Sequence, residues 1–330
     1  TGEIEKIDID YNMSSDTPHF IAIDKINRYW FVTTITSGYI GRYNLDTNEF
    51  IDKILIGDSP ALMALNEGDK KLYVSRMMQM GMMTGAVSTV VQEIDYSTSQ
   101  MLISDSFLLS SPVPHGLAIN SDGSEVYVAS NTADWLYKII PPSTNEIQGY
   151  VMDITIDNAP DIETKRLKPI QCLSVDNNLL FVSCSGGISY NSSEGEQTNI
   201  PGQLQLWNST TMTLINTIQF ASTSTPWHII NSPYEEYVFV VLSGDNLTPG
   251  SAGVICLNYA NSDMQIVWEN YSENFNTLHG IDISDDGETI YVSGRGDNNL
   301  HIFNAANGHR IKSISLGNNT MAAGIQAFHY

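Results

Sequence analysis

Cationic residues are scarce in this chain. Among 330 residues there are 15 Lys and Arg against 37 Asp and Glu, which gives a formal net charge of −22. A phosphate backbone or an anionic lipid surface would be repelled by such a chain. The acidic residues are scattered through turns such as Asp285-Asp286-Gly287, as expected for a solvated surface. The sequence therefore predicts that nucleic acid is not a partner.

Long apolar runs are also missing, because no stretch of about eighteen apolar residues occurs. We therefore expect no membrane insertion within this chain. Cysteine is limited to Cys172, Cys184 and Cys256. The first two lie on neighbouring predicted strands joined by a turn at 176–178, so they form either a disulfide or two buried thiols, and Cys256 stays unpaired. Gly-rich phosphate loops, serine nucleophile elbows and His-Glu-x-x-His or Cys-x-x-Cys motifs do not occur.

An internal repeat organises the chain. Segments of the form Pro/Leu-His-x-apolar-x-apolar-Asn/Asp begin at Pro18, Pro114 and Leu278, and looser copies begin at Pro60, Gln171, Pro226 and Ala323. Each of the first six is followed by a turn, a β-branched and aromatic run such as Val126-Tyr127-Val128-Ala129, a third alternating run and a fourth strand. Four strands in a unit of about forty to fifty-five residues are typical of a β-propeller blade.

We therefore predict an all-β fold, a single β-propeller domain over residues 1–330. Six units are complete, and one further strand is predicted at each end, over 2–10 and 321–328. Pairing of these N- and C-terminal strands in one shared blade would close a seven-bladed ring. Six blades are the alternative, because the shared blade would hold two strands instead of four.

The repeat Pro-His-Gly-x-Ala-x-Asn, followed by Asp-Gly and Val-Tyr-Val-Ala-Ser-Asn at 126–131, resembles the YVTN-type (YncE-like) seven-bladed propellers. The resemblance covers nearly the whole chain. It implies the fold and says little about function, since this fold carries lactonases, metalloenzymes and binding proteins.

Four of the seven histidines open a predicted innermost strand: His19, His115, His228 and His279, with Ala61 and Gln171 at the matching places of two other blades. Innermost strands line the central channel, so these imidazoles should converge there. Neutral imidazole suits copper, zinc, iron or nickel. The alternative is that Pro-His-Gly is a structural turn whose ring bonds to the next blade. His301, His309 and His329 are expected to be structural or exposed.

A methionine-rich stretch follows Arg76, with Met77, Met78, Met80, Met82 and Met83 in seven residues. Thioethers select Cu(I), so in an oxidising compartment this loop would capture copper. Methionine is equally an adaptable contact residue, and the loop could instead bind a protein partner. Together with the histidines, the loop points to copper as the cofactor and to a periplasmic, cell-surface or secreted protein.

Three other functions compete with copper binding as interpretations of this sequence. The histidine spacing is distantly similar to the propeller domain of nitrous oxide reductases, but only His19, His115, His228 and His279 match, fewer than its copper cluster needs. A lactonase would need carboxylates at the channel mouth, for which Asp16, Asp134 and Asp297 are the candidates. The main alternative is a non-catalytic interaction module or accessory subunit with structural histidines, using the long insertions 155–169 and 186–201.

Overall fold

Antiparallel four-stranded sheets build the whole fold. The computed structural model describes residues 4–11, 16–57, 59–76, 90–110, 113–131, 134–141, 147–151, 166–191 and 196–328. Its strands are β1 (Pro18–Asp24), β2 (Tyr29–Thr34), β3 (Tyr39–Asn44), β4 (Phe50–Leu55), β5 (Pro60–Asn66), β6 (Lys71–Arg76), β7 (Val90–Asp95), β8 (Leu102–Leu108), β9 (Pro114–Ile119), β10 (Val126–Ser130), β11 (Trp135–Ile139), β12 (Ile147–Val151), β13 (Pro169–Val175), β14 (Leu179–Cys184), β15 (Gly187–Asn191), β16 (Glu196–Ile200), β17 (Gln203–Asn208), β18 (Thr213–Gln219), β19 (Pro226–Asn231), β20 (Tyr237–Leu242), β21 (Gly253–Asn258), β22 (Gln265–Tyr271), β23 (Leu278–Ile283), β24 (Thr289–Gly294), β25 (Asn299–Asn304) and β26 (Arg310–Ser315). A 3₁₀ turn spans Ala260–Ser262.

The strands form six blades. Blades 1, 2, 3, 5 and 6 each take four consecutive strands, β1 to β4, β5 to β8, β9 to β12, β19 to β22 and β23 to β26. Blade 4 has the order β13-β14-β17-β18, and the insertion at 186–201 forms a separate hairpin, β15-β16, inside it. The first strands of consecutive blades are neighbours, as expected for the innermost strands of a propeller. Within the described ranges, no helix has the length and apolarity to cross a membrane.

The β-propeller prediction is confirmed, but the prediction of seven blades is wrong and the six-bladed alternative is correct. Residues 4–10 and 321–328 are not strands and do not pair with each other. In a shared blade these two segments would occupy the innermost and outermost places. Such places are separated by two further strands, about 14 Å at the usual strand spacing, so they could not exchange hydrogen bonds.

The terminal segments nevertheless fill the space between blade 6 and blade 1. The Gly324 N–H donates to the His19 carbonyl of β1 at 2.9 Å, and the Ser293 hydroxyl of β24 donates to the Ala323 carbonyl at 2.6 Å. On blade 1, the Tyr11 and Tyr43 hydroxyls are hydrogen bonded at 2.8 Å. Packing of these two segments, rather than a shared sheet, joins the last blade to the first.

The core is divided among the interfaces between blades. Five clusters of buried apolar side chains lie between consecutive blades, from the cluster of Phe31 between blades 1 and 2 to the cluster of Phe303 between blades 5 and 6. A sixth cluster packs Trp30 and Tyr43 of blade 1 against Ile9 and Phe328 of the terminal segments. Each large side chain buried in this way contributes about 1.5 to 3 kcal/mol.

An unusual backbone conformation precedes each innermost strand. The residue before the strand has a positive φ, between 45° and 60°, at Thr17, Ser59, Val113, Lys168, Thr225, Thr277 and Met321. Outside glycine, this conformation costs about 1 to 3 kcal/mol and persists only when the surroundings impose it. The seventh member, Met321, precedes residues 322–328, which therefore enter the ring as the six innermost strands do.

The cysteines are buried thiols. Cys172 and Cys184 are not joined in a disulfide, although both belong to the cluster between blades 3 and 4. Cys172 lies opposite Val182 in the β13–β14 register, so Cys184 is two residues further along its strand. Burial raises the pKa of both thiols, which keeps them protonated.

Candidate functional site

The four histidines predicted for the channel meet at the axis of the ring. His19, His115, His228 and His279 come from β1, β9, β19 and β23, and none has more than 8% of its surface exposed. The ring centroids of His19 and His115 are 6.4 Å apart, those of His19 and His279 are 5.9 Å apart, and those of His228 and His279 are 4.8 Å apart. We call these four residues the axial histidine cluster.

The register of the innermost strands differs from the expected one in two blades. A hydroxyl group on the second strand of a blade donates a hydrogen bond to the carbonyl of the residue that follows the proline in the next blade. Thr33 donates in this way to the Ala61 carbonyl, and Ser75 donates to the His115 carbonyl. In blade 5 the acceptor is Trp227, not His228. His228, one residue further along β19, is buried, and its ring lies 4.8 Å from that of His279.

Trp227 was missed by the sequence reasoning, although the position of Pro226 gave the signal. Its ring lies 5.4 Å from that of His279 and 6.4 Å from that of His115. Gln171 is likewise one residue beyond the matching place, and its side-chain oxygen accepts the Ile229 N–H at 2.6 Å. Gln171 therefore joins two blades instead of contributing to the axial cluster.

Several buried nitrogens of the axial histidine cluster and of the neighbouring Trp227 have no hydrogen-bond partner among the described residues. These are His19 Nδ1, His228 Nε2, His279 Nδ1 and Trp227 Nε1. His115 differs, because its Nδ1 donates to the Ile170 carbonyl of the next blade at 2.6 Å. Buried polar atoms are nearly always bonded, and each one left unpaired costs about 1 to 3 kcal/mol. Four of them in one cluster indicate a ligand or solvent partner at the axis.

Burial sets the charge state of the cluster. It lowers the pKa of His19 to about 4, with smaller contributions from His115 and from Arg295, and an opposing one from the Ala61 backbone. Burial also lowers the pKa of His115, and it holds the pKa values of His228 and His279 well below the usual range, with the other histidines adding to the effect. The imidazoles are neutral at pH 7, so each has one nitrogen lone pair for a ligand.

The spacing of the rings is compatible with a shared ion, but their orientation is not yet that of a metal site. Two imidazoles bound to one ion through nitrogens about 2.0 Å away have centroids about 4.5 to 6.5 Å apart, which includes the separations found here. In the described part of the chain, no three His, Cys, Asp or Glu side chains already form a metal-binding group. A shared ion would therefore require the rings to adopt a different arrangement from this one.

The methionine-rich stretch, Met77 to Met83, lies outside the described residues. Another methionine is close to the cluster instead. Met321 and His19 line the same cavity, of about 320 Å³, which also contains Gly324 and opens beside β1. The Met321 side chain is largely exposed, so a thioether borders the entrance next to an axial histidine.

The three carboxylates considered for a lactonase are each used in their own loops. Asp16 accepts the Tyr11 N–H at 2.8 Å, and Asp134 accepts the backbone N–H groups of Leu167 and Lys168. Burial raises the pKa of Asp134 to about 6. Asp297 binds His301 Nε2 at 3.1 Å. Among the described residues no hydrogen bond joins two of these carboxylates.

Comparison with known proteins shows the fold alone. No family model matches the chain, and no curated protein matches its sequence. Among solved structures, hydrazine synthase of Kuenenia stuttgartiensis aligns with a TM-score of 0.67 at 15% identity, over 92% of this chain and 80% of that one. The Cps50 (Swd1) β-propeller domain of Myceliophteria thermophila aligns with a TM-score of 0.70 at 11% identity, over 95% and 90%. A chain of the Mitotic Checkpoint Complex aligns with a TM-score of 0.63 at 14% identity, over 86% and 75%.

Proposed function

We propose that this chain is an extracytoplasmic propeller of the YVTN type whose axial histidine cluster binds a copper ion. The observation that carries the proposal is the set of buried, neutral imidazoles with unpartnered nitrogens at the axis. A bound ion would give His19, His228 and His279 the partners that buried nitrogens normally have. The repeat at 126–131 supports the YVTN relationship.

Copper is favoured over other ions by the donor types. Imidazole nitrogen binds copper more tightly than the other first-row divalent ions, and thioethers such as Met321 and the Met77 to Met83 stretch add selectivity for Cu(I). The Arg295 guanidinium acts electrostatically on His19 and His279. Its positive charge weakens the binding of a cation at the axis, and it weakens the binding of Cu²⁺ more than that of Cu⁺. The site should therefore prefer the monovalent state.

Copper loading of the apoprotein tests this function. The protein is stripped with a chelator, titrated anaerobically with Cu(I) against a colorimetric competitor, and titrated separately with Cu(II) and Zn(II). We expect one Cu(I) per chain, with weaker Cu(II) and Zn(II) binding. His279→Ala should weaken Cu(I) binding at least about a hundredfold, since losing one of three or four ligands removes several kcal/mol.

His309→Ala is the matched control, because His309 is an exposed histidine in the β25–β26 turn. Its affinity for Cu(I) should equal that of the wild type. Replacing the five methionines of 77–83 by leucine separates their contribution from that of the cluster. Stoichiometric copper that survives His279→Ala would contradict the proposal, and so would the absence of copper from the wild type. Fractionation of native cells tests the extracytoplasmic location.

A non-catalytic interaction module is the second candidate. It is favoured by apolar side chains exposed on outermost strands, such as Phe50 and Leu55 on β4 and Leu108 on β8. One of the similar chains belongs to the Mitotic Checkpoint Complex, although at 14% identity the two chains share only the fold. Under this hypothesis the wild type binds no copper, and a protein partner contacts the methionine-rich stretch. Replacing Met77 to Met83 would then abolish the association.

A further inference from the structure

Three polar side chains in the outer half of blade 6 form a chain of hydrogen bonds. Ser313 of β26 lies directly opposite His301 of β25 in the strand register. The Ser313 hydroxyl donates to His301 Nδ1 at 2.8 Å, and His301 Nε2 donates to the carboxylate of Asp297, in the turn between β24 and β25, at 3.1 Å. A serine, a histidine and an aspartate are thus linked in the order that catalysis by a serine nucleophile requires. We call these three residues the blade 6 triad.

The carboxylate of the triad fixes the tautomer of its histidine. Because Asp297 accepts from Nε2, the lone pair of the neutral ring is on Nδ1 and faces the Ser313 hydroxyl. Burial would raise the pKa of the Asp297 carboxyl, but the hydrogen bonds that it accepts, first of all from His301, lower the pKa below its ordinary value. The carboxyl is therefore ionised at pH 7 and holds the ring in the tautomer that can take a proton from serine.

The surroundings of the triad suit a reaction at its serine. Ser313 is exposed, whereas His301 is only 2% exposed, so a substrate can reach the hydroxyl while the base is shielded from water. The Phe275 ring lies 4.8 Å from that of His301, and the Arg310 guanidinium lies 5.2 Å from the centre of the same Phe275 ring. β26 is the last strand of its sheet, so alternate N–H groups point away from β25. Such N–H groups and a nearby cation stabilise the negative oxygen that develops in acyl transfer.

The repeat itself does not require this arrangement. Each third strand has one residue opposite the place of Val292, which in blade 6 is His301. In blades 1 to 5 the same place holds Gly41, Gln92, Tyr137, Gln205 and Ile255. Blade 2 also has a serine on its outermost strand in the place of Ser313, Ser106, which lies opposite Gln92. A blade therefore folds with several kinds of residue in this place, and the histidine of blade 6 is not needed for the fold.

We propose that the blade 6 triad hydrolyses esters of small carboxylic acids, with Ser313 as the nucleophile, His301 as the general base and Asp297 as the residue that positions His301. The Ser313 oxygen bonds to the ester carbonyl carbon while its proton passes to His301 Nδ1. Collapse of the tetrahedral intermediate breaks the ester C–O bond, and the alcohol leaves with that proton. Water then attacks the acyl-serine and gives a proton to His301, which returns it to Ser313 as the carboxylic acid is released.

This site is distinct from the axial histidine cluster. Two further strands separate β26 from the innermost strand β23 of the same blade, about 14 Å at the usual strand spacing. The proposed hydrolysis uses the side chains of the triad and water, so it does not depend on copper. The activity can therefore be measured with a chelator present, and failure of the copper proposal would leave it unaffected.

A fluorophosphonate probe tests the proposal, because an activated serine oxygen bonds to its phosphorus and displaces fluoride. The full chain is treated with the probe in the presence of a chelator, and the modified residue is located by mass spectrometry of its peptides. We expect one probe per chain, on Ser313. With p-nitrophenyl acetate as the substrate, Ser313→Ala should lower kcat/KM at least about a hundredfold, since the acyl-enzyme can no longer form.

Two variants separate the chemistry from the fold. His301→Gln gives blade 6 the residue that blade 2 already has in this place, so folding should be kept. It removes the base, and kcat/KM should fall at least about a hundredfold with loss of labelling. Ser106→Ala is the matched control, because Ser106 is an exposed serine in the same place of another blade, and its labelling and kcat/KM should equal those of the wild type.

Asp297→Asn tests the positioning role. An asparagine amide can donate to Nε2, which leaves the ring proton on Nδ1, so kcat should fall at least about a hundredfold while KM stays unchanged. The thermal unfolding midpoint of each variant checks folding. A wild type that is not labelled, a label on another serine, or a wild-type kcat/KM in Ser313→Ala would each overturn the proposal.

Discussion

Individual side chains at the axis bury polar atoms that an apolar core would not contain. Leaving the nitrogens of His19, His228 and His279 buried without partners destabilises the fold by about 1 to 3 kcal/mol each. Phenylalanine or leucine in those places would avoid this loss. Sites that work against stability in this way are typical of binding centres, where the missing partner is the ligand.

The axial cluster should make stability depend on pH. In the unfolded chain a histidine titrates near its ordinary pKa of 6.5, whereas burial lowers the pKa of His19 to about 4. Between these values the unfolded state binds more protons, so acidification destabilises the fold. The effect is absent above about pH 7 and complete below about pH 4. From pH 7 to pH 4.5, His19 alone removes about 2 kcal/mol from the free energy of unfolding.

Urea denaturation of the wild type and of His19→Phe at both pH values isolates this contribution. The loss of unfolding free energy on acidification should be about 2 kcal/mol smaller in the variant. A difference between variants is needed because two buried carboxyls, Asp134 and Asp282, have pKa values raised to about 6 and act in the opposite direction. Equal losses in the two proteins would mean that His19 is not held neutral at the axis.

Elements of the fold depend on close approaches between neighbouring innermost strands. A Cβ on Gly116 of β9 would lie 2.6 Å from the Gln171 Cα of β13, closer than real Cβ atoms approach. Gly116→Ala should therefore destabilise the protein by about 1 to 3 kcal/mol through overpacking. Gly68→Ala is the control, since the nearest atom to its added Cβ is the Asn66 side-chain oxygen at 3.6 Å. Chemical denaturation of both variants measures the difference, and equal stabilities would contradict this packing.

An ion pair within blade 1, between Arg42 and Asp52, is also hydrogen bonded to blade 2. Arg42 of β3 is 2% exposed, binds both carboxylate oxygens of Asp52 at 2.8 and 3.0 Å, and donates to the Tyr96 carbonyl beyond β7. Arg42→Ala would leave the Asp52 carboxylate and several backbone carbonyls without their donor. The substitution should lower the free energy of unfolding by about 3 to 5 kcal/mol.

Arg28 makes the matched exposed pair, with Asp46. Because exposed pairs contribute about 0 to 1 kcal/mol, Arg28→Ala should change the free energy of unfolding far less than Arg42→Ala does. Urea denaturation compares the two variants. Equal effects would show that the Arg42 network does not hold the two blades together.

Local patterns in the sequence predicted the elements better than their register. The Val126-Tyr127-Val128-Ala129 run and its relatives identified the second strands, because alternation and turn residues are properties of short segments. The place of His228 was missed by one residue, since the contact that sets the register, from the Ser183 hydroxyl to the Trp227 carbonyl, joins two different blades. Trp227 escaped notice because an indole lacks a lone pair for metals and was not sought among ligands.

At the scale of the whole molecule, the number of blades was the part that sequence could not decide. Six repeats are complete, and the predicted C-terminal strand has the residues of an innermost strand, so a count of patterns favoured seven. A strand, however, requires a hydrogen-bonded neighbour, and pairing partners far apart in sequence are not visible in a local pattern. The four axial histidines were found because a repeat places its equivalent residues around one axis.

Closure of the ring should depend on the C-terminal segment. Residues 321–328 make five hydrogen bonds to blades 1 and 6, to the His19 carbonyl, the Ser293 hydroxyl, the Ile23 N–H, the Asp282 carboxylate and the Asn298 side-chain oxygen. At about 1 kcal/mol each, deletion of 321–330 should lower the free energy of unfolding by roughly 5 kcal/mol. The sixth apolar cluster would also lose Phe328.

Hydrogen exchange distinguishes loss of closure from a general loss of stability. If the segment joins the last blade to the first, exchange in the truncated protein should accelerate most in β1 and β23 and least in β13 and β14, on the far side of the ring. Gly324→Ala disturbs the same contact less than the deletion does, because the added Cβ would lie 2.9 Å from the His19 carbonyl oxygen. It should accelerate exchange in the same two strands. Uniform acceleration in all blades would show instead that the propeller unfolds as one unit and that the segment adds stability without acting as the closure.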